Sequence, residues 1–250
     1  MNMRNVFFAL LLAACLVGCG KQAQTRHIII LIDASGSIDR QALDQAFKAI
    51  DDLVGNLRRG DRIAIIPILG DAEAEASGRI IRFQIPTSRQ AYDSDLKAFR
   101  QKLKTSLATM EAEAVAHPGS KSDILGSVAL TEGEFQSDSG GSRRLLAVLS
   151  DFIQEDTNVN FKKDKRLVNP VSAKKFATQH AKQKSFNFRG MPVYLGLLRS
   201  QEYAAMEQSR RDAIQEFWIR LFKSFGAQPL FIADGSGLLR SFGTAFPTLE

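Results

Sequence analysis

Cysteine is nearly absent from this 250-residue chain. The only two cysteines are Cys15 and Cys19, both close to the N-terminus. A disulfide scaffold or a zinc site built on thiolates is therefore excluded for the rest of the chain. Histidine is also scarce: the three residues His27, His117 and His180 lie far apart in the sequence. The sequence consequently offers no histidine metal triad and no recognisable Ser-His-Asp arrangement.

Neither sign of charge dominates the composition. The chain has 33 Lys and Arg against 27 Asp and Glu, and a net charge of +6 is too dilute over this length to indicate a nucleic-acid-binding protein. Hydrophobic residues make up 44%, with 18 Gly and 7 Pro, which excludes disordered and collagen-like classes. The length suits one α/β domain with a sizeable core.

The N-terminus contains one long apolar run, from Val6 to Val17, preceded by Arg4. Such a run is too short to span a bilayer and is typical of the apolar part of a signal peptide. It ends in Leu16-Val17-Gly18-Cys19, which resembles the lipobox of bacterial lipoproteins. The resemblance implies cleavage before Cys19 and lipidation of its thiol, and a multi-chain lipid anchor is sufficient for stable attachment to a membrane.

These features predict the organisation and location of the chain. We expect a signal peptide at 1–18, a lipidated tether at 19–25 and one domain at 26–250. The mature protein would be anchored in a bacterial cell envelope and face the periplasm or the exterior. Gly20 stands where an Asp would resemble an inner-membrane retention signal, which gives a faint indication of the outer membrane.

Six short apolar segments predict β-strands, at 26–32, 63–69, 80–85, 145–149, 192–198 and 229–232. The first is an unbroken aliphatic run, as expected of a central strand that is buried on both faces. Only about ten residues separate the second and third segments, too few for a helical crossover, so these two strands should be antiparallel. Helical periodicity elsewhere completes a doubly wound, mainly parallel six-stranded sheet with one antiparallel edge strand.

Polar side chains follow two of these strands. Asp33-Ala34-Ser35-Gly36-Ser37 comes directly after the first strand, and Ser150-Asp151 follows the fourth. In open α/β sheets, ligands bind beyond the carboxyl ends of the strands. Carboxylate and hydroxyl oxygens suit Mg²⁺, Mn²⁺ or Ca²⁺. Taken alone, the Asp-x-Ser-x-Ser pattern is also typical of turns and helix N-caps.

A third segment, Gly119-Ser120-Lys121-Ser122-Asp123-Ile124, offers further hydroxyls before a helix. With this segment, the chain resembles a von Willebrand factor type A (integrin I-like) domain with a metal-ion-dependent adhesion site. The resemblance runs from about 26 to 232 and implies five metal-site residues: Asp33, Ser35, Ser37, Ser122 and Asp151. The family usually has Thr at the loop position; Ser122 keeps the hydroxyl but lacks the stiffening β-branch. Ser120 is the competing candidate for that position.

The resemblance also implies a mechanism. The two Ser hydroxyls of the first motif would contact Mg²⁺, Mn²⁺ or Ca²⁺ directly, the carboxylates would often act through water, and a carboxylate of a partner protein would take the remaining position. That is a binding mechanism, so we expect no enzymatic activity. The rival enzyme is a Mg²⁺-dependent phosphatase with Asp33 as its nucleophile, but that class has a second Asp where Ser35 stands here.

The segment 162–189 is strongly basic, and its first part follows the strand that ends before Asp151. Four cations should therefore lie at the rim of the metal face, where they would steer an acidic partner: Lys162, Lys163, Lys165 and Arg166. Two other interpretations remain open. The segment is a solvated loop and helix face, or it serves a DNA-handling envelope component through contacts to phosphates.

Overall fold

The computed structural model describes residues 25–87, 92–116, 121–136, 142–184, 186–235 and 237, with the backbone alone at 77, 92 and 114. The predicted signal peptide, most of the tether, Cys19, Ser120 and the end of the predicted domain lie outside the described residues. No helix among those described is long and apolar enough to cross a bilayer.

The described chain alternates strands with helices. The strands are β1 (Arg26–Asp33), β2 (Arg62–Ile68), β3 (Ile81–Gln84), β4 (Arg143–Ser150), β5 (Pro192–Leu197) and β6 (Gln228–Ile232). The helices are α1 (Arg40–Gly55), α2 (Tyr92–Ala116), α3 (Ile124–Gln136), α4 (Pro170–Ala181), α5 (Gln201–Ala205) and α6 (Gln208–Ser224). A π-helical turn, Ala72–Ala76, and a 3-10 turn, Ser77–Arg79, join β2 to β3.

The six strands form one sheet in the order β3-β2-β1-β4-β5-β6. All neighbouring pairs are parallel except β2 and β3, which are antiparallel. The predicted sheet, including its antiparallel edge strand, is therefore confirmed. The strand order reverses between β1 and β4. Because these two strands are parallel neighbours, their carboxyl ends lie side by side.

The core has two layers, one on each face of the sheet. Strand β1 lies between them and is therefore buried along its whole length. Its residues alternate between the two faces of the sheet, as the strand geometry requires. Ile29 and Leu31 belong to the layer that packs against α3, α4 and α6. Ile28, Ile30 and Ile32 belong to the layer that packs against α1 and α2. The central strands consequently have little freedom to shift in register, which fixes the positions of the polar residues at their ends.

Candidate metal centre

The first group of site residues follows β1 and leads into α1. Asp33 is fully buried, and its Oδ1 accepts the backbone N–H of Ser35 at 3.0 Å. The hydroxyl oxygens of Ser35 and Ser37 lie 3.0 Å apart. Asp39 then caps α1 by accepting the N–H of Ala42 at 3.2 Å. The turn therefore aims one carboxylate and two hydroxyls at the same side of the sheet edge.

The second group comes from the end of β4. Ser37 donates from Oγ to Oδ2 of Asp151 at 3.3 Å, which joins the two strand ends. Ser150 donates from Oγ to Oδ2 of Asp33 at 2.7 Å and accepts the N–H of Phe152 at 2.9 Å. Asp151 is 1% exposed, and its Oδ1 accepts the N–H of Ile153 at 3.0 Å. Both carboxylates thus lie within one hydroxyl-lined cluster.

Ser122 joins this cluster from the segment before α3. Its hydroxyl donates to Oδ1 of Asp33 at 3.3 Å. Backbone hydrogen bonds hold the segment on both sides: the N–H of Asp123 donates to the carbonyl of Leu69 at 2.8 Å, and the N–H of Glu155 donates to the carbonyl of Ser122 at 3.0 Å. Of the two candidate loop residues, Ser122 lies at the cluster, whereas Ser120 lies outside the described residues.

The N-terminus of α3 is fixed by a close approach that requires glycine. Asp123 caps the helix, and its Oδ1 accepts the N–H of Gly126 at 2.9 Å. A Cβ at Gly126 would overlap the Asp123 carboxylate and crowd Ala72. Gln154, fully buried, donates from Nε2 to the same Oδ1 at 3.0 Å. The loop that carries Ser122 is therefore held to the segment that follows Asp151.

The two carboxylates are electrostatically unfavourable in the folded protein. Burial raises the pKa of Asp33, although hydrogen bonds from Ser150, Ser35 and Ser122 oppose the shift. Burial, and next the negative charge of Asp33, raise the pKa of Asp151 to about 7. Both shifts reflect the cost of holding a negative charge away from water, and the shift of Asp151 also reflects the charge of Asp33. A cation bound between these groups would reduce that cost.

Two further hydroxyls support the cluster and were not predicted from the sequence. Ser150 donates to Asp33 from the neighbouring strand, and the hydroxyl of Ser200 lowers the pKa of Asp151 against the larger effect of burial. Ser200 reaches this position because residue 38 forms an isolated bridge with it, after β5. The position of Ser150 directly after an aliphatic strand, beside Asp151, was a signal that could have identified it; Ser200 gave no comparable signal.

The residue after Asp151 adopts an unusual backbone conformation. Phe152 has φ 62°, in the left-handed region that a bulky residue rarely occupies. Its side chain is fully buried, and its carbonyl accepts the indole N–H of Trp218 at 3.0 Å. Aromatic packing and this hydrogen bond therefore offset the backbone strain, and they turn the chain sharply after Asp151.

The predicted basic rim is more neutral than its sequence indicated. Lys162 forms ion pairs with Glu155 at 3.0 Å and with Glu202 at 2.8 Å. Arg166 pairs with Asp164 at 2.5 Å and lies over the ring of Phe176. Lys163 and Lys165 are exposed. Acidic residues inside and outside the segment thus offset two of the four cations, and a steering role for this rim stays a prediction.

The donor set fits a hard divalent cation. Within the described part of the chain, no cluster of three or more His, Cys, Asp or Glu forms a metal site. Instead, two carboxylates and three hydroxyls of the predicted set, with Ser150 beside them, converge at the ends of β1 and β4. Such oxygen ligands match the preference of Mg²⁺, Mn²⁺ and Ca²⁺.

Comparison with known proteins is informative about the fold. No family model matches the chain, and no curated protein sequence matches it. Two crystal structures of the pilus adhesin SpaC from Lactobacillus rhamnosus GG match, with 10% and 9% identity and TM-scores of 0.50 and 0.51. A von Willebrand factor type A protein from Catenulispora acidiphila matches at 15% identity and a TM-score of 0.48.

These matches cover most of this chain and a minority of the other proteins. They extend over 90% of this chain and 30% of the adhesin, and over 89% of this chain and 42% of the Catenulispora protein. At such identities the likeness concerns the fold alone. The strand order and the adhesin match agree with the architecture that the sequence predicted, and the chain shares with the adhesin an α/β fold built on a mainly parallel sheet.

Proposed function

We propose that this protein binds a partner protein through a divalent cation, with Mg²⁺ or Mn²⁺ as the first candidates. The residues that would hold the cation are Asp33, Ser35, Ser37, Ser122 and Asp151. The observation that carries the proposal is the convergence of these residues, which come from three separate segments of the sequence, on one buried cluster of oxygen atoms. The adhesin among the structural matches supports a role in protein binding.

The hydroxyls and carboxylates have separate tasks in this proposal. Ser35, Ser37 and Ser122 would supply neutral ligands, while Asp33 and Asp151 would supply the compensating negative charge. When bound, the cation would offer an electrophilic position to a carboxylate of the partner, because hydroxyl ligands neutralise little of its charge. The chain's own part is to hold these oxygens in place, which the backbone hydrogen bonds to both carboxylates support.

Binding, rather than a reaction, is the function that this donor set supports. Acid–base catalysis needs a titratable group that a substrate can reach by a hydrogen bond. Asp33 and Asp151 are almost completely buried, and their oxygens accept hydrogen bonds from neighbouring hydroxyl and amide groups. We therefore assign the two carboxylates to charge compensation for the cation.

Metal titration tests the site directly. Calorimetry with Mg²⁺ and Mn²⁺ on the full chain should detect binding, and Asp33→Ala or Ser122→Ala should weaken it at least about tenfold, since the first removes a compensating charge and the second a ligand oxygen. Asp44→Ala and Ser209→Ala are matched controls at exposed helical positions and should leave the affinity unchanged. Equal affinities in all four variants would refute the assigned site.

Partner binding needs its own experiment. The full chain should capture a protein from envelope extracts in Mg²⁺, lose it in chelator and recover it when Mg²⁺ or Mn²⁺ is restored. Replacing one Asp or Glu of that partner by Ala should abolish the complex. A partner that binds equally well in chelator and to the Asp33→Ala/Asp151→Ala variant would leave the metal a structural role only.

We further propose that lipid at Cys19 holds the protein at a membrane, outside the cytoplasm. The proposal rests on the Leu16–Cys19 motif and on the apolar run that precedes it. In this arrangement the residues up to Thr25 would form a short connection between the lipid and the first strand.

A further inference from the structure

A basic cleft lies at the end of the sheet opposite the candidate metal centre. Its volume is about 630 Å³, and Arg143, Arg144 and Arg189 line it together with Phe135, Tyr194 and Ser142. None of the residues that line it, all within the described part of the chain, is Asp or Glu. The cleft therefore concentrates positive charge without an acidic residue in its walls.

Arg144 and Arg189 can bind further groups. Arg144 is exposed; its Nη2 donates to the carbonyl of Phe135 at 3.0 Å, and its guanidinium lies 5.7 Å from the centre of that ring. One hydrogen bond uses one of the five N–H donors of a guanidinium. Arg189 is exposed as well. Guanidinium groups of this kind bind phosphate oxygens in a bidentate manner.

The first described residue of the chain lies beside this cleft. The carbonyl of Thr25 accepts the N–H of Arg143 at 2.8 Å, and its hydroxyl lies 3.0 Å from that of Ser142. From Cys19 to Thr25 an extended chain spans at most about 20 Å. A lipid on Cys19 would therefore keep this end of the sheet close to the membrane surface.

The other exposed residues at this end of the sheet are also largely basic. The loops and helix ends that precede β2, β5 and β6 carry Arg58, Arg59, Lys182, Lys184 and Lys223, all exposed. The acidic residues of the same region are fewer: Asp61 is buried and paired with Arg26, Asp51 and Glu134 form ion pairs, and Asp52 is exposed. Around the metal centre, by contrast, acidic and basic side chains are mixed: Asp71 and Glu75 lie with Arg79 and Lys121, and Lys162 pairs with two glutamates. An anionic surface would therefore attract the first end more strongly than the second.

We propose that the cleft lined by Arg143, Arg144 and Arg189 binds the phosphate headgroups of an anionic membrane. This contact would orient the domain with its metal centre facing away from the bilayer. The inference goes beyond the proposed function and takes from it only the anchor at Cys19. Cations close to an anionic bilayer contribute about 1 kcal/mol each, or about fivefold in vesicle partitioning.

Vesicle flotation tests the proposal on a protein that has neither the lipid anchor at Cys19 nor a bound metal. The full chain with Cys19→Ser, in chelator, is mixed with vesicles of phosphatidylcholine alone or with about 30 mol% phosphatidylglycerol. We expect a preference for the anionic vesicles at about 0.05 M salt that largely disappears at about 0.5 M salt, because salt screens exposed charges. Any insertion of the N-terminal apolar run is shared by all variants.

Matched substitutions locate the contact. Arg144→Gln with Arg189→Gln should reduce the preference for anionic vesicles about 10- to 30-fold. Lys48→Gln with Lys174→Gln removes the same charge from exposed helical positions away from the cleft and should change it less than about threefold. Equal losses in the two pairs would overturn the proposal, because net charge would then explain the binding.

A DNA duplex provides the remaining comparison. If the duplex bound with the same dependence on Arg144 and Arg189 while the vesicles did not bind, the cleft would be a nucleic-acid site and the membrane proposal would be wrong. Calorimetric metal binding by the Arg144→Gln/Arg189→Gln variant should equal that of the parent chain. A failure of the cleft is thus distinguishable from a failure of the metal site.

Discussion

Replacement of Asp151 by asparagine should stabilise the protein in chelator. Burial and the charge of Asp33 raise the pKa of Asp151 from 3.8 to about 7. Since one pKa unit corresponds to about 1.4 kcal/mol, the ionised carboxylate costs the folded state up to about 4 kcal/mol. Asparagine retains an oxygen for the N–H of Ile153 and has no charge. We expect the free energy of unfolding to rise by about 1–3 kcal/mol at about pH 8.

The expected pH dependence has a definite sign. The folded-state pKa of Asp151 lies above its unfolded value, so the folded protein binds the proton more tightly, and the unfavourable contribution is largest above about pH 7. It decreases as the pH falls toward the unfolded value of about 4, where both states become protonated. Urea unfolding of the parent chain and of Asp151→Asn in chelator should therefore give curves that converge near pH 4.

Metal should reverse the order of stability. A ligand that binds only the folded state adds RT ln(1 + [L]/Kd) to its stability, which is about 2.7 kcal/mol at a hundredfold excess over Kd. The parent chain should gain from Mg²⁺ or Mn²⁺, whereas Asp151→Asn should gain little. If Asp151→Asn proved less stable than the parent in chelator at about pH 8, the argument from charge repulsion would be refuted.

Asp61 provides a control with the opposite expectation. It is as deeply buried as Asp151, at 1% exposure, but its carboxylate accepts Nε of Arg26 at 2.9 Å and the N–H of Arg58 at 2.8 Å. Asparagine at this position would remove the negative charge that faces the buried guanidinium of Arg26. We expect Asp61→Asn to lower the free energy of unfolding by about 3–5 kcal/mol, with or without metal.

Three further substitutions test other parts of the account. Gly126→Ala should lower the melting temperature and weaken metal binding, because its Cβ would displace the Asp123 carboxylate. The control Gly133→Ala places its Cβ in open space and should be neutral or stabilise the helix by up to about 1 kcal/mol. Thermal melts and metal titrations of both variants make the comparison. Ser150→Ala should cost about 1–3 kcal/mol in urea unfolding, since it removes the 2.7 Å hydrogen bond to a buried carboxylate; an unchanged value would contradict its supporting role. Cys19→Ser should abolish incorporation of labelled fatty acid, and unchanged labelling would remove the lipid anchor.

The fold was predictable because its signals are local and agree with one another. The aliphatic run of β1 identifies a strand buried on both faces, and the short connection between β2 and β3 allows only an antiparallel pairing. The extent of helix α3, which ends at Gln136, is less evident from the sequence. Turn residues and glycine within 124–136 conceal its length, whereas packing of Phe135 in the core sustains it.

The surroundings of the site were less predictable because they depend on distant parts of the chain. The ion pairs of Lys162 involve Glu155 and Glu202, and the second of these lies forty residues further along the sequence. Ser200 reaches Asp151 only because the segment after β5 pairs with residue 38. Composition and periodicity contain no information on such contacts, so the sequence showed only Asp164 opposing the basic segment.

The positions of the two carboxylates depend both on local turns and on the pairing of distant strands. Each Asp accepts, through Oδ1, the backbone N–H of the residue two positions later: Ser35 for Asp33 and Ile153 for Asp151, both at 3.0 Å. This is the local turn that Asp favours, so the sequence predicts it at each strand end. The Oδ2 atoms instead accept hydroxyls from the other strand end, Ser150 for Asp33 and Ser37 for Asp151. Each turn therefore orients its own carboxylate, and the parallel pairing of β1 with β4 makes the two turns one site.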